Sequence, residues 1–154
     1  MGIYSKNKVY YFISMNNMDG KTLSPRVPDN FLTKYGYEDN ETKRVCVSTS
    51  VGKCLRAMSM NLKDKDIFIH VVDTELTQKD IHIPTIKEVP DCKITGEVWV
   101  LKPVKMKCIG MIHVKNATDK SFEYKYGNNK AELYDWDFDW IEKYINEFAN
   151  LLDW

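Results

Sequence analysis

Six short runs rich in β-branched and aromatic residues punctuate the first 126 residues, with a single helical stripe between them. The runs cover residues 8–15 (KVYYFISM), 44–49 (RVCVST), 66–72 (DIFIHVV), 96–101 (GEVWVL), 106–114 (MKCIGMIHV) and 121–126 (SFEYKY). Runs of this length and composition read as β-strands. The stripe follows Ser50, a candidate N-cap, and consists of Val51, Cys54, Leu55, Met58 and Leu62. Its spacing is that of one helix face. Strands that outnumber helices, and do not alternate regularly with them, argue against a doubly wound parallel sheet. They predict an α+β fold with a mixed, mostly antiparallel sheet and a few helices.

The first two strand runs are separated by residues 16–43, a stretch with no apolar period. It contains Asp19-Gly20, Pro25, Pro28, Asp29-Asn30 and Gly36, so turn formers dominate. A structureless loop of this length is unusual in a compact domain. The stretch therefore either carries function or holds a short helix, for which residues 30–35 are the candidate.

A chain of 154 residues fits one domain, 1–154, with a sheet-rich body at 8–115 and an acidic, aromatic C-terminal segment at 131–154. That segment is predicted to form an amphipathic helix over 137–152, striped by Ile141, Tyr144, Ile145, Phe148, Leu151 and Leu152. No apolar run is long enough to span a membrane, and the N-terminus lacks a secretory h-region, so a cytoplasmic protein is expected. Cys46, Cys54, Cys92 and Cys108 form no C-x-x-C pair and no zinc-like cluster with histidine. They are expected as reduced thiols, and no metal site is expected. The bases are 19 lysines against 3 arginines, and 11 asparagines accompany them, a bias of AT-rich coding that points to a bacterium or phage. Against that background each arginine stands out, because its planar fork offers bidentate geometry that lysine lacks.

Dinucleotide, P-loop, zinc-protease and serine-hydrolase motifs are all absent. Three segments could carry chemistry. Arg26, held between Pro25 and Pro28, suits a carboxylate or phosphate ligand, and equally suits pairing with Glu38 or Asp39. Ser48-Thr49-Ser50 ends a strand and opens a helix, a place where hydroxyls and backbone N–H groups can receive phosphate or ribose, or simply cap the helix. Glu97 opens an apolar strand and needs either a partner or exposure.

The order of these segments resembles the ADP-ribosyltransferase-like fold. Arg44–Ser50 (RVCVSTS) looks like that family's Ser-Thr-Ser strand, and 94–109 (ITGEVWVLKPVKMKCI) looks like its glutamate strand followed by a hairpin strand. The resemblance implies a split, mostly antiparallel sheet holding NAD in a cleft. It implies Glu97 as the catalytic carboxylate, bonding a ribose hydroxyl, with Ser48 supporting it. It places Arg26 over the pyrophosphate, and Tyr11 where the family carries His or Arg on its first strand. Ser14, Arg44 and Ser50 join the expected nucleotide contacts. Thr95 stands where arginine-modifying members carry an acid or amide, so arginine modification is not expected. An adenine dinucleotide would be the ligand, and ADP-ribose transfer to an unknown target the reaction.

Residues 131–154 suggest an alternative. They hold seven acids against one base, leaving 21 bases against 15 acids in the other 130 residues. The zero net charge is thus the sum of a basic body and an acidic tail. Trp136, Asp137, Asp139 and Trp140 form a candidate partner surface, because aromatic clusters anchor interfaces. On this alternative the chain is a non-enzymatic, phage-type accessory protein that binds and inhibits a host protein. Direct nucleic-acid binding is not expected, since no base-stacking surface is evident.

Overall fold

The computed structural model describes residues 8–51, 53–54, 65–116, 121–126 and 129–134. Among the described residues are nine strands: β1 (Tyr11–Ser14), β2 (Thr22–Leu23), β3 (Val45–Ser48), β4 (Asp66–Val72), β5 (Ile81–His82), β6 (Glu97–Val100), β7 (Val104–Asn116), β8 (Ser121–Tyr126) and β9 (Asn129–Tyr134). They lie in the order β5-β6-β3-β1-β4-β7-β8-β9, with β2 beside β7. Between them come helices of four residues, Phe31–Lys34 and Cys92–Thr95, and a 3-10 turn at Gln78–Asp80. Residues 51, 53 and 54 are helical, as the stripe after Ser50 predicts.

Every described pairing is antiparallel, in keeping with the mostly antiparallel sheet expected, though without the parallel pairs a mixed sheet would hold. The reason lies in β1. It pairs antiparallel with both β3 and β4, so those two strands run the same way but are kept apart by β1. The connection from β3 to β4 therefore creates no parallel neighbours. Two further expectations change. β6 and β7 form no hairpin with each other: β6 pairs with β3 and β5, and β7 with β4, β8 and β2. Also, the C-terminal segment begins as a strand, since residues 131–134 belong to β9, paired with β8. The helix predicted over 137–152 lies outside the described residues.

Alternation along β3 and β6 builds a core on one face and a smaller cluster on the other. Val45, Val47, Val98 and Val100 pack with Tyr10, Leu76, Val104 and Met106. On the opposite face Trp99 packs with Val89, Cys92 and Cys46. With both faces covered, β6 reads as a nearly unbroken apolar run after Glu97.

The sheet opens between β1 and β3. These strands share one register pair, Tyr11 with Ser48, whereas β1 has four with β4 and β3 has four with β6. The long segment 16–43 folds back beside this opening and is tied down along its length. Leu23 pairs with Val104, Gly20 N–H donates to the Met106 carbonyl (2.8 Å), and Arg26 bridges the backbone of Arg44. The short helix at Phe31–Lys34 falls where the sequence places it, capped by Asn30, whose Oδ1 accepts from Thr33 N–H (3.0 Å).

His70 on β4 fastens the start of this segment. It is fully buried. Its Nε2 accepts from Met18 N–H (2.9 Å) and its Nδ1 lies 3.2 Å from the Phe12 carbonyl, which can only accept. The pair of contacts selects the neutral imidazole protonated at Nδ1. Burial holds its pKa below the ordinary value, against the opposing effects of the Phe12 carbonyl and the Asp19 charge. The folded protein therefore binds fewer protons at His70 than the unfolded chain does. The stability this contributes is complete above the unfolded value of about 6.5 and is lost as pH falls below it and through the lowered folded value. The urea midpoint is expected to drop between pH 7.5 and pH 5, and to drop less in His70→Gln; equal drops would contradict this assignment.

Candidate functional site

Tyr11, Ser48 and Glu97 meet where the sheet opens. Ser48 faces Tyr11 across one strand gap and Glu97 across the next. All three line a cavity of about 200 Å³, with Cys46 and Thr95. A second cavity of about 650 Å³ adjoins it, sharing Phe12, Cys46 and Glu97. Its other walls include Ser14, Met18, Arg26, Glu38 and Arg44. Segment 16–43 thus supplies one side of the cleft and the strands β1, β3 and β6 the other.

Glu97 is positioned by its neighbours in sequence. Gly96 ends the helix Cys92–Thr95 in a left-handed conformation (φ 58°) and turns the chain into β6. A Cβ at Gly96 would stand 2.8 Å from Thr49 Oγ1 and 3.1 Å from Ser48 Oγ, so the Ser-Thr strand end packs directly on this glycine. Two residues on, on the same strand face, Trp99 donates its indole N–H to Glu97 Oε2 (3.0 Å). The carboxylate is therefore held at a strand start with one oxygen engaged.

Against the Trp99 ring lies a buried guanidinium. Arg44 is 2% exposed, and its Cζ sits 4.1 Å from the centre of the Trp99 ring. Its Nη1 meets Asp39 Oδ1 (3.2 Å) and the Thr42 carbonyl (2.8 Å), and its Nη2 the Asp39 carbonyl (2.9 Å). Burial works against the charge on Asp39. It is outweighed by N–H donors from Thr42 and Glu41, the Thr42 hydroxyl and Arg44, which hold the carboxyl below its usual range.

The expected site residues therefore separate. Tyr11, Ser48 and Glu97 share the smaller cavity, and Ser14, Arg26, Arg44 and Glu97 the larger one. Arg44 does not stand free to receive a nucleotide, because its Nη1 and Nη2 are spent on Asp39 and Thr42 and its plane on Trp99. It is a strut. Ser50 lines neither of these cavities, and its Oγ accepts from Lys53 N–H (3.1 Å) as a helix cap. Ser48 donates its proton to the Thr95 carbonyl (2.7 Å) rather than to Glu97, and Trp99 supplies the support expected of it. Ser14 Oγ accepts from Asn16 N–H (3.1 Å). Arg26 is exposed at the edge of the larger cavity. Trp136, Asp137, Asp139 and Trp140 lie outside the described residues.

Trp99 escaped the sequence, and Asp39 and Glu38, read there as partners for Arg26, serve elsewhere: Asp39 pairs with Arg44 and Glu38 lines the larger cavity. Trp99 could have been found from the i, i+2 relation to Glu97, which puts both on one face of a strand. Asp39 and Glu38 lie in a stretch without periodicity, and only the fold brings them to β6. Burial pushes the Cys46 thiol up to about 12; the Glu97 charge adds to this and Arg44 opposes it, so the thiolate is disfavoured. Among the described residues no three His, Cys, Asp or Glu side chains are grouped to hold a metal. No described helix is long and apolar enough to cross a membrane. Comparison with family models, with curated proteins and with solved structures gives no match for this chain.

Two substitutions test this framework. Arg44→Met removes the guanidinium's bonds to the partly exposed Asp39 and to two carbonyls, and its stacking on Trp99, and should cost about 1–3 kcal/mol in urea unfolding. Gly96→Ala should cost about 1–2 kcal/mol for the left-handed backbone alone, with more from crowding against Thr49 and Ser48. A thermal melt unchanged in either variant would contradict the packing described.

Proposed function

We propose that the cleft binds NAD or a related ADP-ribose nucleotide, and that Glu97 assists transfer of the ADP-ribosyl group. The observation that supports this most is the meeting of Tyr11, Ser48 and Glu97 in one cavity at the opening of an antiparallel sheet. The larger of the two adjoining cavities falls within the roughly 300–1,000 Å³ range of small-molecule sites. An exposed arginine at its edge suits a pyrophosphate, through bidentate charge-assisted hydrogen bonds.

The chemistry follows from the geometry. Breaking the bond between ribose C1′ and the nicotinamide nitrogen leaves positive charge on the ribosyl group, and the electron pair departs with nicotinamide. A carboxylate fixed beside the ribose stabilises that charge where it develops. The indole N–H of Trp99 fixes Glu97 through one oxygen and leaves the other for a ribose hydroxyl. An acceptor oxygen or nitrogen then bonds to C1′ and gives up its proton.

The test is calorimetry with ADP-ribose and an assay of nicotinamide release from NAD. Glu97→Gln should bind ADP-ribose within a few-fold of wild type yet lose nicotinamide release by about 10²-fold or more, as expected when a transition-state contact is removed. Arg26→Ala should weaken ADP-ribose binding by about tenfold, equivalent to about 1.4 kcal/mol. Failure of the wild-type protein to bind any adenine dinucleotide would discard this function.

A further inference from the structure

Glu38 lines the larger cavity together with Glu97, yet the two arrive from different parts of the chain. Glu97 opens β6; Glu38 follows the short helix Phe31–Lys34. Its backbone is pinned. Glu38 N–H donates to the Leu32 carbonyl (3.2 Å), and Asp39 N–H donates to the Glu88 carbonyl (2.9 Å). Asp39 is further locked by Arg44.

The charges that act on Glu38 are Glu97 and Asp91 on the acidic side and Arg44 on the basic side. Arg26 lines the same cavity. Arg44 is no dedicated counter-ion, because its Nη atoms serve Asp39 and Thr42. Among the described residues its buried Nε has no hydrogen-bond partner. Glu38 thus shares this space with a second carboxyl, Glu97.

Resting on the nucleotide reading of this cleft, we propose that Glu38 is a second ligand-binding carboxyl, contacting the nucleotide as the neutral acid and donating its O–H to a phosphate oxygen. As a carboxylate it would repel that phosphate. As an acid it makes a short, charge-assisted O–H···O⁻ bond. Burial, then the Glu97 and Asp91 charges, raise Glu38 above the ordinary glutamate value, with Arg44 opposing. Binding then draws one proton from solvent onto Glu38 wherever the free protein has it ionised. Affinity falls as pH rises above the Glu38 value in the free protein, by up to about tenfold per pH unit.

Calorimetry with ADP-ribose, run from pH 5 to pH 8 in buffers of different ionisation enthalpy, measures both affinity and proton uptake. Wild type should take up as much as one proton and bind more weakly at high pH. Glu38→Gln, a neutral isostere, should bind without proton uptake and with a flattened pH profile. Adenosine, which has no phosphate, should bind wild type without proton uptake. Matching thermal melts would show that Glu38→Gln leaves the fold intact. Binding by Glu38→Gln with the wild-type proton uptake and pH profile overturns the role of Glu38 and leaves the nucleotide reading standing. Absence of ADP-ribose binding to wild type at every pH overturns both.

Discussion

The two halves of the sheet meet through a single register pair, Tyr11 with Ser48, and the remaining features of the cleft follow from that economy. A sheet that continued its ladder between β1 and β3 would close over the space the cavities occupy. Instead the strands part beyond the one shared pair, and the opening is held by what packs around it. Valines of β3 and β6 bury one face against Val104 and Met106 of β7, joining the halves through the core rather than through hydrogen bonds. Segment 16–43 braces the opening by pairing with β7 and by its bond to His70.

A carboxylate at the edge of such a space is expensive unless partners satisfy it. The fold meets this cost by layers: Glu97 accepts from Trp99, Trp99 lies under Arg44, and Arg44 is neutralised by Asp39. Asp39 is in turn held by the turn at residues 39–42. The chain of contacts runs from a loop to the first residue of β6. A change in the loop can therefore be felt at Glu97 without touching the cleft. It also explains why an arginine stands at position 44 in so lysine-rich a chain. A planar guanidinium can stack on an indole while its fork serves a carboxylate and two carbonyls, and an ammonium cannot.

Much of the scaffold was legible in the residues. β4 and β8 occupy the runs read from composition, and the short helix near Asn30 and the cap at Ser50 were visible from local hydrogen-bonding chemistry. β9 was not, because residues 129–134 (NKAELY) carry few β-forming side chains, and pairing with β8 decides their conformation. The hairpin expected of β6 and β7 failed for a related reason. Two adjacent strand-like runs joined by a short link look alike whether they pair or cross between halves, and partners distant in sequence settle which. Arg44 shows the same limit at one residue: rarity marked it as significant, but its role as strut rather than ligand depends on Trp99 and Asp39 lying against it.

The sequence by itself determined roughly where six of the described strands lie, that strands outnumber helices, and that Ser48 and Glu97 sit at strand ends where polar groups can be reached. These are consequences of period-two patterning, capping and turn chemistry, all of which act over a few residues. Only the tertiary structure decided that the sheet opens beside Tyr11, that Glu38 and Glu97 line one cavity, and that Arg44 is buried against Trp99. Those outcomes come from long-range packing and from the pairing of charges far apart in the chain. No local pattern encodes them, because their free energy belongs to contacts that exist only once the chain has folded.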